Sequence, residues 1–151
     1  MNIQITILRE VHLTMNITSF HNDRYEVARP LTPTLPNGRK AEGVTLFLKS
    51  TGSKEAMEWV SKINAQLAET ELVKRQTGDY IFDWEKRREY DINLACAVFD
   101  RFTGIVDKEG EVLVCNEENK RLLMDEYDWL RVQLLEEAQD LAEYELKEQA
   151  H

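Results

Sequence analysis

With 42% hydrophobic and 31% charged residues but only 6 Gly and 3 Pro among its 151, the chain carries enough apolar material for a folded core, which excludes a disordered tail. The net charge of −9 is confined to one end: residues 1–106 hold 14 acidic and 14 basic side chains, residues 107–151 hold 14 acidic against 5 basic. Such a chain has no phosphate-neutralising surface to spare, which argues against nucleic-acid binding, and no apolar run approaches the roughly 20 residues of a membrane span.

Cys96 and Cys115 have no second Cys or His at metal-ligand spacing, so zinc is not expected and reduced thiols are. Asn16-Ile17-Thr18 matches a glycosylation acceptor, but no secretory signal accompanies it, and a cytoplasmic protein is expected.

Residues 2–8 alternate polar side chains with Ile3, Ile5 and Ile7, the pattern of a half-buried strand. Met15-Asn16-Ile17 echoes Met1-Asn2-Ile3, so translation can start at either methionine. Further strands are expected at Leu13–Phe20 and Arg24–Ala28. The segment Arg29–Gly38 holds all three prolines and the turn pair Asn37-Gly38, which bars it from a central strand. Strand character resumes from Arg39 and ends in Val44-Thr45-Leu46-Phe47-Leu48.

Ser53 is placed to cap a helix whose Ala56, Trp59, Val60, Ile63 and Leu67 share one face. Gly78 ends it. Tyr80, Ile81, Phe82 and Trp84 form an aromatic knot, and Asp83 caps a second helix with Ile92, Ala95, Cys96, Phe99 and Phe102 on one side. The other side carries Lys86, Arg87 and Arg88, a basic triplet that suits a solvated face or a partner patch.

Gly104 suits the left-handed end of that helix, and Asp107-Lys108-Glu109-Gly110 a tight turn in which Gly110 takes positive φ. An EF-hand reading of Asp107, Glu109 and Glu111 fails because Val112 stands where the loop requires glycine. A short strand Val112-Leu113-Val114 follows. Asn116 caps a short helix that buries Leu122 and Leu123, with Glu117 and Glu118 favouring the positive end of its dipole. From Trp129 a long helix presents Leu130, Leu134, Ala138, Leu141 and Leu146, with Glu136, Glu137, Asp140, Glu143, Glu145 and Glu148 covering the remainder. Such a stripe packs on its own domain or docks another chain, so Trp129, Leu130, Leu134, Ala138 and Leu141 are the candidate partner-binding residues, while Gly104, Gly110 and Asn116 are candidate structural turns and caps.

The expected fold class is α+β: a small antiparallel β unit at 1–52 and a mainly helical unit at 53–151, which can pack as one compact domain. His12, His21 and His151 have no Ser or Cys motif beside them, and no glycine-rich loop follows a strand. Neither a catalytic site nor a cofactor is therefore expected.

The stretch from Trp84 through Phe102-Thr103-Gly104-Ile105-Val106-Asp107-Lys108-Glu109-Gly110 to Val114-Cys115-Asn116-Glu117-Glu118-Asn119-Lys120-Arg121-Leu122-Leu123 resembles the tail assembly chaperones of long-tailed bacteriophages. With the last helix the likeness spans residues 84–146. Phe102 stands where that family would have Trp, and no residue-level match extends to the β unit. The resemblance implies a non-catalytic protein that coats the tape-measure protein before tail tube subunits displace it, with self-association of the terminal helix as a further option. It implies a cytoplasmic site of action in the bacterial host, absence from the finished virion, and in many phages a longer frameshifted form. A second reading, from the charge alone, is an acidic inhibitor or nucleic-acid mimic that binds a basic partner.

Overall fold

The computed structural model describes residues 23–149. The expected strands at 2–8 and 13–20, both candidate start methionines, Asn16 and the three histidines lie outside these residues. In chain order the described elements are a 3-10 turn (Asp23–Glu26), β1 (Arg29–Leu31), β2 (Thr45–Leu48), α1 (Lys54–Thr77), α2 (Trp84–Val98), β3 (Phe99–Thr103), α3 (Glu117–Glu126) and α4 (Asp128–Gln149). The chain is α+β, and the described strands form one antiparallel sheet in the order β1-β2-β3.

The second helix is shorter than its apolar stripe suggests. It ends at Val98, and Phe99 and Phe102 belong to β3, opposite Leu48 and Leu46. Three residues apart, the two phenylalanines would normally face opposite sides of a strand. An irregularity in the ladder opposite Phe47 and Leu48 takes up Asp100 as an extra residue, so both rings reach the core, 5.8 Å apart. A bulged strand thereby imitates the three-residue step of a helix. Because β3 lies beside β2, a boundary after residue 52 does not separate the sheet from the helices: Leu46 and Leu48 share one buried cluster with Ile63, Ile92, Val98, Met124 and Leu134.

Arg24–Ala28 is not a strand. Residues 23–26 turn tightly, Val27 N–H donates to the Arg24 carbonyl at 3.2 Å, and the Tyr25 ring lies so close to Gly52 that any Cβ there would sit 2.9 Å from it. Among the described residues β1 is an edge strand, which suits Pro30.

Ser53 stands at the N-cap of α1, but its hydroxyl makes no capping bond and is buried without a partner. Instead the Glu26 carboxylate accepts from Lys54 N–H at 2.9 Å. On α1 the buried side chains are Ala56, Ile63, Gln66 and Thr70, while Leu67 is exposed. Gln66 donates to the Asp83 carbonyl at 2.9 Å and so holds the segment after Gly78 against α1. Asp83 caps α2, its carboxylate accepting from Lys86 N–H at 3.0 Å. Of the basic triplet, Arg88 reaches Asp125 at 2.9 Å and Asp128 at 3.7 Å, and Arg87 pairs with Asp91 at 3.1 Å. The Arg88 pairs, with Arg121, which reaches Glu89 at 2.6 Å, link α2 to α3 and α4.

On α4 the inward stripe runs Leu130, Leu134, Ala138 and then Glu145. Leu146 is exposed, and Glu145, expected on the solvated face, is only 2% exposed and pairs with Arg29 at 3.1 Å and Arg24 at 3.8 Å. A 3.6-residue repeat carried on from Leu134 and Ala138 leads to Glu145 rather than Leu146. Among the described residues no helix is long and apolar enough to cross a membrane.

Candidate binding groove

Three segments distant in sequence enclose an apolar groove of about 510 Å³. Pro33, Leu35 and Ala41 of the β1–β2 connection form one wall. Ile105, Val106 and Leu113 form the second. Leu122 and Leu123 of α3 and Tyr127 just after it, with Trp129 and Leu130 of α4, form the third, and Val44 and Leu46 complete the lining. The volume falls inside the roughly 300–1,000 Å³ of typical ligand sites.

Each wall is fixed by hydrogen bonds that the local sequence supplies. In the first, Leu35 N–H donates to Arg39 O at 2.7 Å, Gly38 N–H to Leu35 O at 2.9 Å, and Asn37 accepts from Arg39 N–H at 2.9 Å. This turn is then pinned to α4 by one side chain. Gln133 accepts from Thr34 N–H at 2.7 Å and donates to Thr34 O at 3.0 Å, serving both backbone groups of a residue 99 positions away.

The second wall begins at Gly104, expected as a helix terminator but found at the end of β3. It takes φ +83, and a Cβ there would sit 1.9 Å from the Gly43 carbonyl oxygen, so glycine is required both for the backbone angle and for the close crossing of the two chains. Asp107 organises the turn that follows: its carboxylate accepts from Glu109 N–H and Glu111 N–H, both at 2.9 Å, and its carbonyl accepts from Gly110 N–H at 3.0 Å. Gly110 has the positive φ expected of it. The apolar run Val112-Leu113-Val114 is not a strand: it contributes the single bridge Val106 to Val112, and only Leu113 packs against the core.

In the third wall Asn116 caps α3, accepting from Asn119 N–H at 2.8 Å. Leu123 is buried, but Leu122, expected inside, is 43% exposed. The sharp turn from α3 into α4 is held by Arg131, which donates to Met124 O and pairs with Asp128 at 2.8 Å. Lys120 is buried alongside, donating to Phe99 O at 3.1 Å and Asp100 O at 3.2 Å.

The five candidate partner-binding residues therefore divide. Trp129 and Leu130 line the groove, although Leu130 is itself buried. Leu134 and Ala138 are fully buried in the chain's own core, and Leu141 is half-buried against it. The groove residues that the sequence does not single out for binding include Pro33, Leu35, Ala41 and Tyr127, none of which lies on a periodic stripe.

Val106, Leu122 and Tyr127 remain 55%, 43% and 39% exposed, an unusual concentration of accessible apolar surface around one concavity. Burial pushes the Cys96 thiol up, opposed by Arg121 and Lys120, whereas Cys115 is exposed, and both are free. Among the described residues no three His, Cys, Asp or Glu side chains are grouped to hold a metal ion. Comparison with protein-family models, with curated proteins and with solved structures finds no match to this chain.

Proposed function

We propose that the chain is a non-catalytic binding protein, a phage tail assembly chaperone whose groove holds an apolar segment of the tape-measure protein until tail tube subunits displace it. The observation that carries this reading is the groove itself, a site lined by aliphatic and aromatic side chains and bordered by exposed Val106, Leu122 and Tyr127. Support also comes from the stretch that resembles those chaperones, because residues 105–130 supply two of the three walls. Reversible burial of such surface needs no chemistry: at roughly 25 cal/mol per Å², a few hundred Å² of client surface stabilises a complex that a competing subunit can still displace. The same reading places the protein in the cytoplasm of the infected host and outside the finished virion.

Co-expression with a tape-measure protein tests it. The chaperone should raise the soluble yield of its client and co-purify with it, and Leu122→Asp or Val106→Asp, both at exposed positions, should abolish this while leaving the fold intact. No gain in solubility and no complex would sink the proposal. Capture of a basic partner that is lost in salt and unaffected by either substitution would favour the acidic mimic instead.

A further inference from the structure

We propose that the groove takes about two turns of an amphipathic helix, with Lys or Arg flanking its apolar anchors where they meet Glu109 and Glu126. The inference rests on the groove being the client site. Its first support is size. One turn of helix with its side chains, about 10–12 Å across and 5.4 Å high, fills roughly 420–610 Å³. The groove offers 510 Å³. A helix lying in an open groove inserts only its apolar half, so this volume matches the inserted half of about two turns and the three anchors they carry at i, i+3 or i+4, and i+7.

The second support is charge. The charged residues lining the groove are Asp107, Lys108, Glu109 and Glu126. Asp107 is committed to its own turn through the amides of Glu109 and Glu111. Of the nearby cations, Lys120 is committed to Glu117 at 2.6 Å, Arg121 to Glu89 at 2.6 Å and Arg131 to Asp128 at 2.8 Å; among the described residues Lys108 makes no ion pair, so the lining sets the carboxylates of Asp107, Glu109 and Glu126 against the single ammonium of Lys108. Among the described residues no cation lies within ion-pair distance of Glu109 or Glu126, both of which line the groove. A docked cation there would be partly screened from solvent by the client, where an ion pair is worth more than on an open surface. An acidic flank would meet like charge.

The probes are two fluorescein-labelled 16-residue helical peptides sharing one Leu stripe, flanked by Lys in one and by Glu in the other. At low salt the Lys peptide should bind the intact chain about tenfold tighter than the Glu peptide, each tenfold corresponding to ~1.4 kcal/mol. Glu109→Lys with Glu126→Lys should reverse the order, and a central proline in the Lys peptide should weaken it more than tenfold. Leu122→Asp should remove both. Equal binding of the Lys and Glu peptides, or an unaffected proline peptide, would overturn the inference while leaving the groove as a client site. Failure of both peptides, with 1-anilinonaphthalene-8-sulfonate still binding in a Leu122-dependent way, would overturn the inference and the client reading together and assign the groove to a small apolar ligand.

Discussion

Two regions of this molecule expose large apolar side chains, and they do so in opposite ways. At the junction of α1 and α2, Ile81 is 69% and Trp84 70% exposed, yet the rings there are engaged with one another: Tyr80 stacks on Phe82 at 6.2 Å and Phe82 meets Trp84 edge-on at 4.5 Å. Lys74 lies over the Tyr80 ring at 5.9 Å. The rings at the junction pack on one another in the open, and none of these residues lines the groove. The groove instead has its apolar side chains converging on a shared space, with Leu46, Leu123 and Leu130 as a buried base. A partner anchors where water is excluded on most sides, which a concavity allows and an open cluster does not. Exposure alone therefore does not mark the site; convergence does.

The strongest way to break the comparison is to remove the scaffold both regions depend on. Leu134 is 0% exposed beneath the groove, so Leu134→Glu buries an unpaired carboxylate and should cost more than about 4 kcal/mol, enough to abolish cooperative unfolding by circular dichroism. A folded variant that had lost only client binding would show that this face of α4 opens to a partner. A more selective break is Gln133→Leu. It leaves Thr34 N–H and C=O without their side-chain partner, which should cost about 1–3 kcal/mol and speed hydrogen exchange in the 33–41 wall while exchange at residues 79–84 stays unchanged.

That selectivity explains what could and could not be read from the sequence. Caps and turns were legible because their chemistry is local: Asp83, Asn116, Gly78 and the Asp107–Gly110 turn all behave as their residue types dictate. The α4 stripe was legible as an amphipathic face, but periodicity cannot say whether such a face meets its own fold or another chain. Phe99 and Phe102 were misread because a β-bulge reproduces a helical step. Gly104 carried the correct backbone angle with the wrong neighbour, since nothing local reveals that its chain crosses Gly43. The groove was illegible as a whole: its walls are joined by contacts such as Thr34 to Gln133, across 99 residues, and no repeat connects Pro33, Ile105 and Tyr127.

Helix caps sharpen the comparison at lower energy, because each region depends on a different one. Asn116→Ala removes a formed cap from the groove's third wall and should destabilise by about 1 kcal/mol in urea unfolding. Ser53→Ala, at the start of the helix that leads into the aromatic cluster, should run the other way. The hydroxyl it removes is buried, makes no capping bond and has no partner, so its loss relieves a desolvation penalty and should leave stability unchanged or raise it by up to about 1 kcal/mol. Equal losses from the two substitutions would mean that Ser53 bonds the first turn of α1 in solution.

The smallest effect is expected at the cluster itself, and it bears most directly on the contrast with the groove. Ile81 is largely solvated and takes no part in holding α1 to α2; that work falls to Ile63 and Ile92 in the shared core, to the Trp59–Tyr90 ring contact at 6.0 Å and to Gln66. Ile81→Ser should therefore shift stability by less than about 0.5 kcal/mol and leave the affinity for the Leu-stripe peptides unchanged, whereas Leu122→Asp abolishes it. Both positions are exposed and apolar, so a difference between them isolates what the groove adds. Were Ile81→Ser to weaken peptide binding as strongly as Leu122→Asp, client contact would extend across two separate surfaces, and convergence of side chains would no longer distinguish the site from the rest of the exposed apolar residues.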